Sequence, residues 1–175
     1  GCHRMIEQEL ILLGLLKESP KHGYEIKKKI KEILSLFVGV DLKSIYYPLH
    51  ILEKKNLVTK KISKAGRRPE RLVYALTPKG ENRFKELLTK SLLNFKRPQF
   101  SLDLSLYFLN YMQPDIVKRR LRARMHVLAK LSKGLRQMAN SLGKKKPYSL
   151  AYILEHNLQM VETEYKFISR LIKTL

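Results

Sequence analysis

Apolar positions recur at helical spacing through most of the chain, and one short stretch breaks that rhythm. Residues 5–20 carry an unbroken apolar run from Leu10 to Leu16 and predict a helix that stops before Pro20. Residues 21–34 set Tyr24, Ile26, Ile30, Ile33 and Leu34 near helical spacing, with lysines opposite, and predict a second helix. A connector containing Gly39 leads into "DLKSIYYPLHILEKKN", residues 41–56. Here Ile45, Leu49 and Leu52 fall on one side, and Lys43, Tyr47, His50 and Lys54 on the other. Asp41 occupies the N-cap position of this third helix, and Asn56 stands where a left-handed C-cap belongs. The period then changes. Residues 57–63 and 71–77 are β-branched and aromatic, with Leu72, Tyr74 and Leu76 alternating, on either side of a Gly/Pro turn at 64–70. That pattern predicts a hairpin with a basic tip. Thr77 and Pro78 open a fourth helix, as N-cap and first helical residue, that runs to about Phe95.

No strand pattern returns after residue 100. Residues 101–112 are short and strongly apolar, and Pro114 opens a long helix with a stripe of Val117, Leu121, Met125, Leu128, Leu131, Leu135, Met138 and Leu142. Gly143 and Pro147 bracket a lysine-rich turn. The last helix places Leu154, Leu158, Val161, Tyr165, Ile168 and Ile172 at alternating steps of four and three, the seam of a coiled coil. A second row, Ile153, Met160, Phe167 and Leu171, makes that seam too wide for one partner, so the helix must pack on several others, within the chain or across a dimer. The expected architecture is mostly α with a small β-hairpin. A winged helix-turn-helix domain would span residues 1–95 and an all-helical dimerisation region residues 96–175, with the six seam residues as the dimer contacts.

Charge narrows the function. The 175 residues hold 36 Lys plus Arg against 15 Asp plus Glu, a net +21, while an apolar share of 44% supports a real core. Such an excess points to a polyanion, most often nucleic acid. The single cysteine, Cys2, excludes an internal disulfide and fits a reducing cytoplasm. Acidic residues soon after Met5 argue against a secretory leader, and no apolar run is long enough for a membrane span. The five histidines lack metal-ligand spacing, no serine sits in a nucleophile elbow, and no glycine loop cradles phosphate. No cofactor and no enzymatic activity are expected.

Three helices, a basic hairpin and a fourth helix are the order of a winged helix-turn-helix, whose third helix fits a DNA major groove. Residues 9 to about 90 resemble the PadR family of transcriptional regulators. "LILLGLL" with "HGYEI" is similar to the family's first two helices, "SIYYPLHILEKKNLV" to its recognition helix, and "GRRPERLVYALTPKG" to its wing and fourth-helix entry. Residues 100–175 resemble the helical dimerisation region of the larger members by pattern more than by motif. The resemblance implies a homodimeric, sequence-specific repressor on double-stranded DNA with an inverted repeat. It also implies room for a small-molecule effector. Some relatives sense phenolic compounds with a tryptophan, and this chain has none. Tyr46 falls on the family's recognition-helix tyrosine, and Asn56 replaces its usual glycine.

On that frame Lys43 and Lys54 meet phosphates, and Tyr47 and His50 reach phosphate or base edges. Pro48 would remove a helical bond to the Ser44 carbonyl, at about 3 kcal/mol. The result would be either a tolerated bend or a re-aimed N-terminal half that presents Lys43, Ser44 and Tyr47. In the wing, Lys64, Arg67, Arg68 and Arg71 are phosphate or minor-groove candidates. Lys21 and His22, opening the second helix, are phosphate candidates as well. Tyr24 is expected to pack between helices. Residues 118–146 hold eleven Lys or Arg and no acid. Arg120 and Arg124 fall toward the apolar stripe, with Glu155 and Glu162 as expected partners. An architectural, non-sequence-specific DNA- or RNA-binding winged helix is the competing function.

Overall fold

The apolar run at 10–16 becomes the middle of α1 (Cys2–Glu18), in a computed structural model that describes residues 2–34, 44–64, 66–144 and 148–175. Leu12 and Leu13 are fully buried, and Leu15 and Leu16 nearly so. Two adjacent pairs cover more than one helical stripe, which makes α1 the hub on which the other N-terminal elements pack. The chain divides into two units, Gly1–Lys96 and Arg97–Leu175. Among the described residues seven α-helices and a three-stranded antiparallel sheet give the mostly helical winged-helix fold expected from the sequence. No helix among them is long and apolar enough to cross a membrane.

The predicted second helix begins later than its pattern suggests. Lys21–His22 form a two-residue strand, β1, and α2 (Gly23–Lys29) follows, continuing as a π-helical turn over Ile30–Leu34. Strand β1 pairs with β3 (Arg71–Leu76), which also pairs with β2 (Val58–Ser63), so the order is β1-β3-β2. The third helix, α3, runs from Tyr46 to Lys54 with Ile45 at its N-cap. Asp41 and Lys43 lie outside the described residues. This start corrects the reading of Pro48. Pro48 is the third helical residue, and the first intrahelical bond runs from the Leu49 N–H to the Ile45 carbonyl at 3.0 Å. An N–H at that position has no helical acceptor in any case, so proline breaks no bond and bends nothing.

The exit of α3 is held more tightly than its entry. Asn56 takes φ = 60°, its N–H donates to Glu53 and the Leu57 N–H reaches back to Leu52, both at 2.9 Å. This is a Schellman closure with asparagine in the glycine position. The Thr77 hydroxyl then donates to the Asn56 carbonyl at 2.7 Å and accepts the Gly80 N–H at 2.9 Å, while the Thr77 N–H donates to the Leu57 carbonyl at 3.1 Å. Thr77 therefore caps α4 (Pro78–Leu93), as its sequence indicates, and also ties that cap to the end of α3. A Cβ on Gly80 would lie 2.0 Å from the Leu57 carbonyl oxygen. Helix α4 returns along α1, where Phe84 rests on Gly14 and Arg83 forks onto Glu9 at 3.0 and 3.4 Å.

The C-terminal unit contains α5 (Ser101–Tyr107), a 3-10 turn, α6 (Pro114–Leu142) and α7 (Tyr148–Thr174). Its core joins Leu102, Val117, Leu121, Leu128 and Ile168. The ion pairs differ from those expected. Arg124 pairs with Glu164 at 3.0 Å, Arg136 with Glu162, and Arg120 is exposed to solvent, so it needs no partner. Two of the expected dimer contacts, Leu154 and Ile168, are buried inside the single chain, with Ile168 at 0% exposure. A heptad seam records that a helix is packed but not against which copy.

Gly80→Ala should lower unfolding stability by about 3 kcal/mol or more, read from urea denaturation, because the new methyl group strikes backbone rather than a yielding side chain. Asn56→Gly should leave the midpoint unchanged or raise it, since glycine adopts the same φ without strain.

Candidate nucleic-acid interface

Burial of Ile45, Leu49 and Leu52 fixes which side of α3 faces outward. Tyr47, His50 and Lys54 follow one another at i, i+3 and i+7 and form one exposed row, with Tyr47 at 71% exposure. Ser44 is exposed just before the helix. Tyr46 turns the other way, toward α2. Its ring and hydroxyl would lie 3.2 Å from a Cβ on Gly23, and the Lys27 ammonium sits 4.7 Å from the ring centroid. Tyr46 is thus a spacer between α2 and α3 that keeps half its surface in solvent. Below it Tyr74 is buried, and desolvation pushes its phenol pKa up.

The wing is the hairpin of β2 and β3, with Ser63 opposite Arg71 and Gly66 at φ = 62° in the loop. Lys64, Arg67, Arg68 and Arg71 are all exposed. Among the described residues none of them has a carboxylate within ion-pair distance. Uncompensated cations held on a short hairpin form an anion-seeking edge. Strand β2 adds Lys60 and Lys61, which the sequence reading passed over. The signal was present: "VTKKIS" has no apolar alternation after Val58, and the strand is solvated on both faces. Lys60 lies 3.8 Å from Glu53 on α3, which connects wing and helix.

Lys21 and His22 part company. The Lys21 side chain is only 5% exposed, and its ammonium donates to the Leu15 carbonyl at 2.7 Å and to the Ser19 carbonyl and hydroxyl at 3.2 and 2.9 Å. Lysine here satisfies the open carbonyl end of α1, favoured by the helix dipole, and has no donor left to offer a phosphate. His22 is half-buried, its Nε2 3.5 Å from Glu25 and its Nδ1 enclosed without a partner. It lines a hollow of about 70 Å³ with Arg68 and Arg71, so the structure brings these three together at the base of the wing. Tyr24, expected in the core, is 74% exposed and lines an open groove with His22, Tyr46 and Glu70.

The comparisons follow this geometry. A family model described as "Transcriptional regulator PadR-like family" matches residues 12–86, the span from α1 into α4. Over those residues the N-terminal unit resembles a PadR-like domain. Solved structures extend the likeness over nearly the whole chain. Bacillus subtilis PadR in complex with operator DNA is 18% identical with a TM-score of 0.78, covering 95% of this chain and 97% of that one. The same protein in complex with p-coumaric acid is 18% identical at 0.75, covering 95% and 96%. The PadR-like transcriptional regulator BC1756 from Bacillus cereus is 16% identical at 0.68, covering 95% and 96%. At such identities these likenesses establish the fold. No curated protein sequence matches the chain.

In the N-terminal unit Lys21 and the wing arginines should separate cleanly. Lys21→Met should cost about 1–3 kcal/mol of stability by stranding buried carbonyls. Arg67→Ala and Arg68→Ala should each stay within about 0.5 kcal/mol of the parent in the same thermal or urea titration.

Proposed function

We propose that the chain is a sequence-specific DNA-binding transcriptional regulator, a repressor that acts as a homodimer on an inverted repeat. The observation that carries this reading is the exposed row Tyr47, His50 and Lys54 on α3 beside a wing whose Lys64, Arg67, Arg68 and Arg71 have no acidic partner among the described residues. A helix bearing such a row enters the major groove, where central side chains meet base edges and terminal ones meet the backbone. Tyr47 and His50 read sequence. Lys54 and Ser44 hold the helix to phosphates, joined by Lys43 ahead of it. The wing sets Lys64, Arg67, Arg68 and Arg71 on the adjoining backbone, with His22 at its base and Lys60 and Lys61 along its edge. Tyr46 positions the helix rather than reading bases.

The dimer rests on apolar surface that a lone chain leaves in water. In the C-terminal unit Phe100, Leu106, Leu131, Met160 and Phe167 line an apolar groove of about 640 Å³. Tyr107, Tyr111 and Val127 are largely exposed. An uncovered surface of this kind marks an interface. The second copy covers it through these residues and through Tyr165, Leu158, Val161 and Ile172 at the seam's edge, not through Ile168 or Leu154. Binding of p-coumaric acid by the B. subtilis neighbour supports a small-molecule effector for this chain too. Of the two carboxylates lining the groove, Glu164 is paired with Arg124, and Asp103 is left to favour a neutral or cationic compound there over a carboxylate.

Tyr47→Ala and His50→Ala should each cost about 1–3 kcal/mol per site on operator DNA and almost nothing on random duplex. Lys54→Ala should weaken both alike. A competition titration in one buffer decides it, and equal losses on both duplexes would favour the architectural reading. Leu131→Lys combined with Met160→Lys should convert the full-length protein from dimer to monomer in sedimentation. The same pair should lower operator affinity through lost bivalency. A wild-type chain that sediments as a monomer at micromolar concentration would end the dimer proposal.

A further inference from the structure

Half of the charge excess lies away from the winged helix. Residues 97–175 hold fifteen Lys or Arg against five Asp or Glu. Of those acids, Glu162 and Glu164 are engaged with Arg136 and Arg124. Helix α6 concentrates the remainder. Arg119, Arg122, His126, Lys130 and Lys133 recur at steps of three and four and are all exposed, and Gln137 and Asn140 continue the same line. No apolar residue interrupts it, and the only acid on the helix is Asp115 in the first turn. Among the described residues no carboxylate lies within ion-pair distance of Arg119, Arg122, Lys130 or Lys133. Like charges at these spacings repel, each neighbouring pair destabilising the helix. A solvated face alone gives no reason to line up so many.

Resting on the DNA-binding reading above, we infer that this stripe of α6 is a second, sequence-independent contact surface for the phosphate backbone of duplex DNA. From Arg119 to Lys133 the stripe extends about 21 Å, over which a duplex presents roughly a dozen phosphates. Guanidinium and ammonium groups on a straight, rigid helix can meet that row without ordering a loop. The amide side chains at the end of the line suit phosphate oxygens as well. A membrane surface fits less well, because the stripe carries no aromatic or leucine side chain to insert between lipids. Its role is to raise affinity for any duplex near the operator and so speed the search that α3 completes.

The test uses the full-length protein with Arg119→Gln, Arg122→Gln, Lys130→Gln and Lys133→Gln combined, on a random-sequence duplex several helical turns long. The slope of log affinity against log salt should fall by about 3 to 4 for each stripe engaged, and affinity near physiological salt by at least about tenfold. A charge-keeping variant (R119K, R122K, K130R and K133R) should restore both, which excludes misfolding as the cause. Unchanged slope and affinity in the glutamine variant would overturn the inference. So would parent protein that binds phosphatidylglycerol vesicles more tightly than duplex. Arg67→Ala with Arg68→Ala, run in parallel, separates the two proposals. Loss of binding there with none in the glutamine variant sinks the stripe and leaves the winged-helix reading standing, and the reverse sinks that reading and leaves the stripe.

Discussion

The carbonyl of Leu57 accepts the Thr77 N–H, and the methyl-free face of Gly80 lies against it. Around this contact the N-terminal unit converges: α3 ends there, β2 begins, β3 returns and α4 starts. Each of those turns would otherwise leave unpaired backbone groups, and one threonine hydroxyl, one left-handed asparagine and one glycine satisfy them together. The orientation of the exposed row on α3 relative to the wing is therefore set at the ends of the helix and hairpin, away from the residues proposed to touch DNA. Binding residues can change without disturbing the frame that aims them.

How much of this was legible depended on range. Thr77, Pro78 and Asn56 declare themselves because a cap is decided by one residue and its immediate neighbours. The outward row on α3 was legible for the same reason, since Leu49 and Leu52 fix the helix face. Strand β1 was hidden: two residues carry no period, and only pairing with Val73 and Tyr74, fifty positions on, makes Lys21 and His22 a strand. The buried ammonium of Lys21 followed from that miss. Pro48 was misjudged because the apolar period extends beyond the helix, and only the first backbone bond marks its start.

The C-terminal unit shows another limit. Its apolar spacing foretold helices and a packed seam, yet Ile168 turned inward within the chain while Met160, one face away, stayed in solvent. Periodicity gives the direction of an apolar face relative to its own axis and carries no record of which molecule covers it. Charge shows the same indifference. Glu162, expected beside Arg120 or Arg124, pairs instead with Arg136, whereas Arg120 was assigned to the stripe and remained in water.

Strand β3 occupies the middle of the sheet, between β1 and β2, while the loop at 64–70 extends past the last paired residues, Ser63 and Arg71. Every described residue of that loop is exposed. The wing is thus divided into a root woven into α1 through β1 and a tip that bears no structural load. Insertions, deletions and charge changes at the tip leave the fold indifferent, whereas a shift of one residue in the register at the root would displace Tyr74 from the core. Sequence can therefore vary most freely in this fold at the tip of the wing, the part proposed to meet DNA.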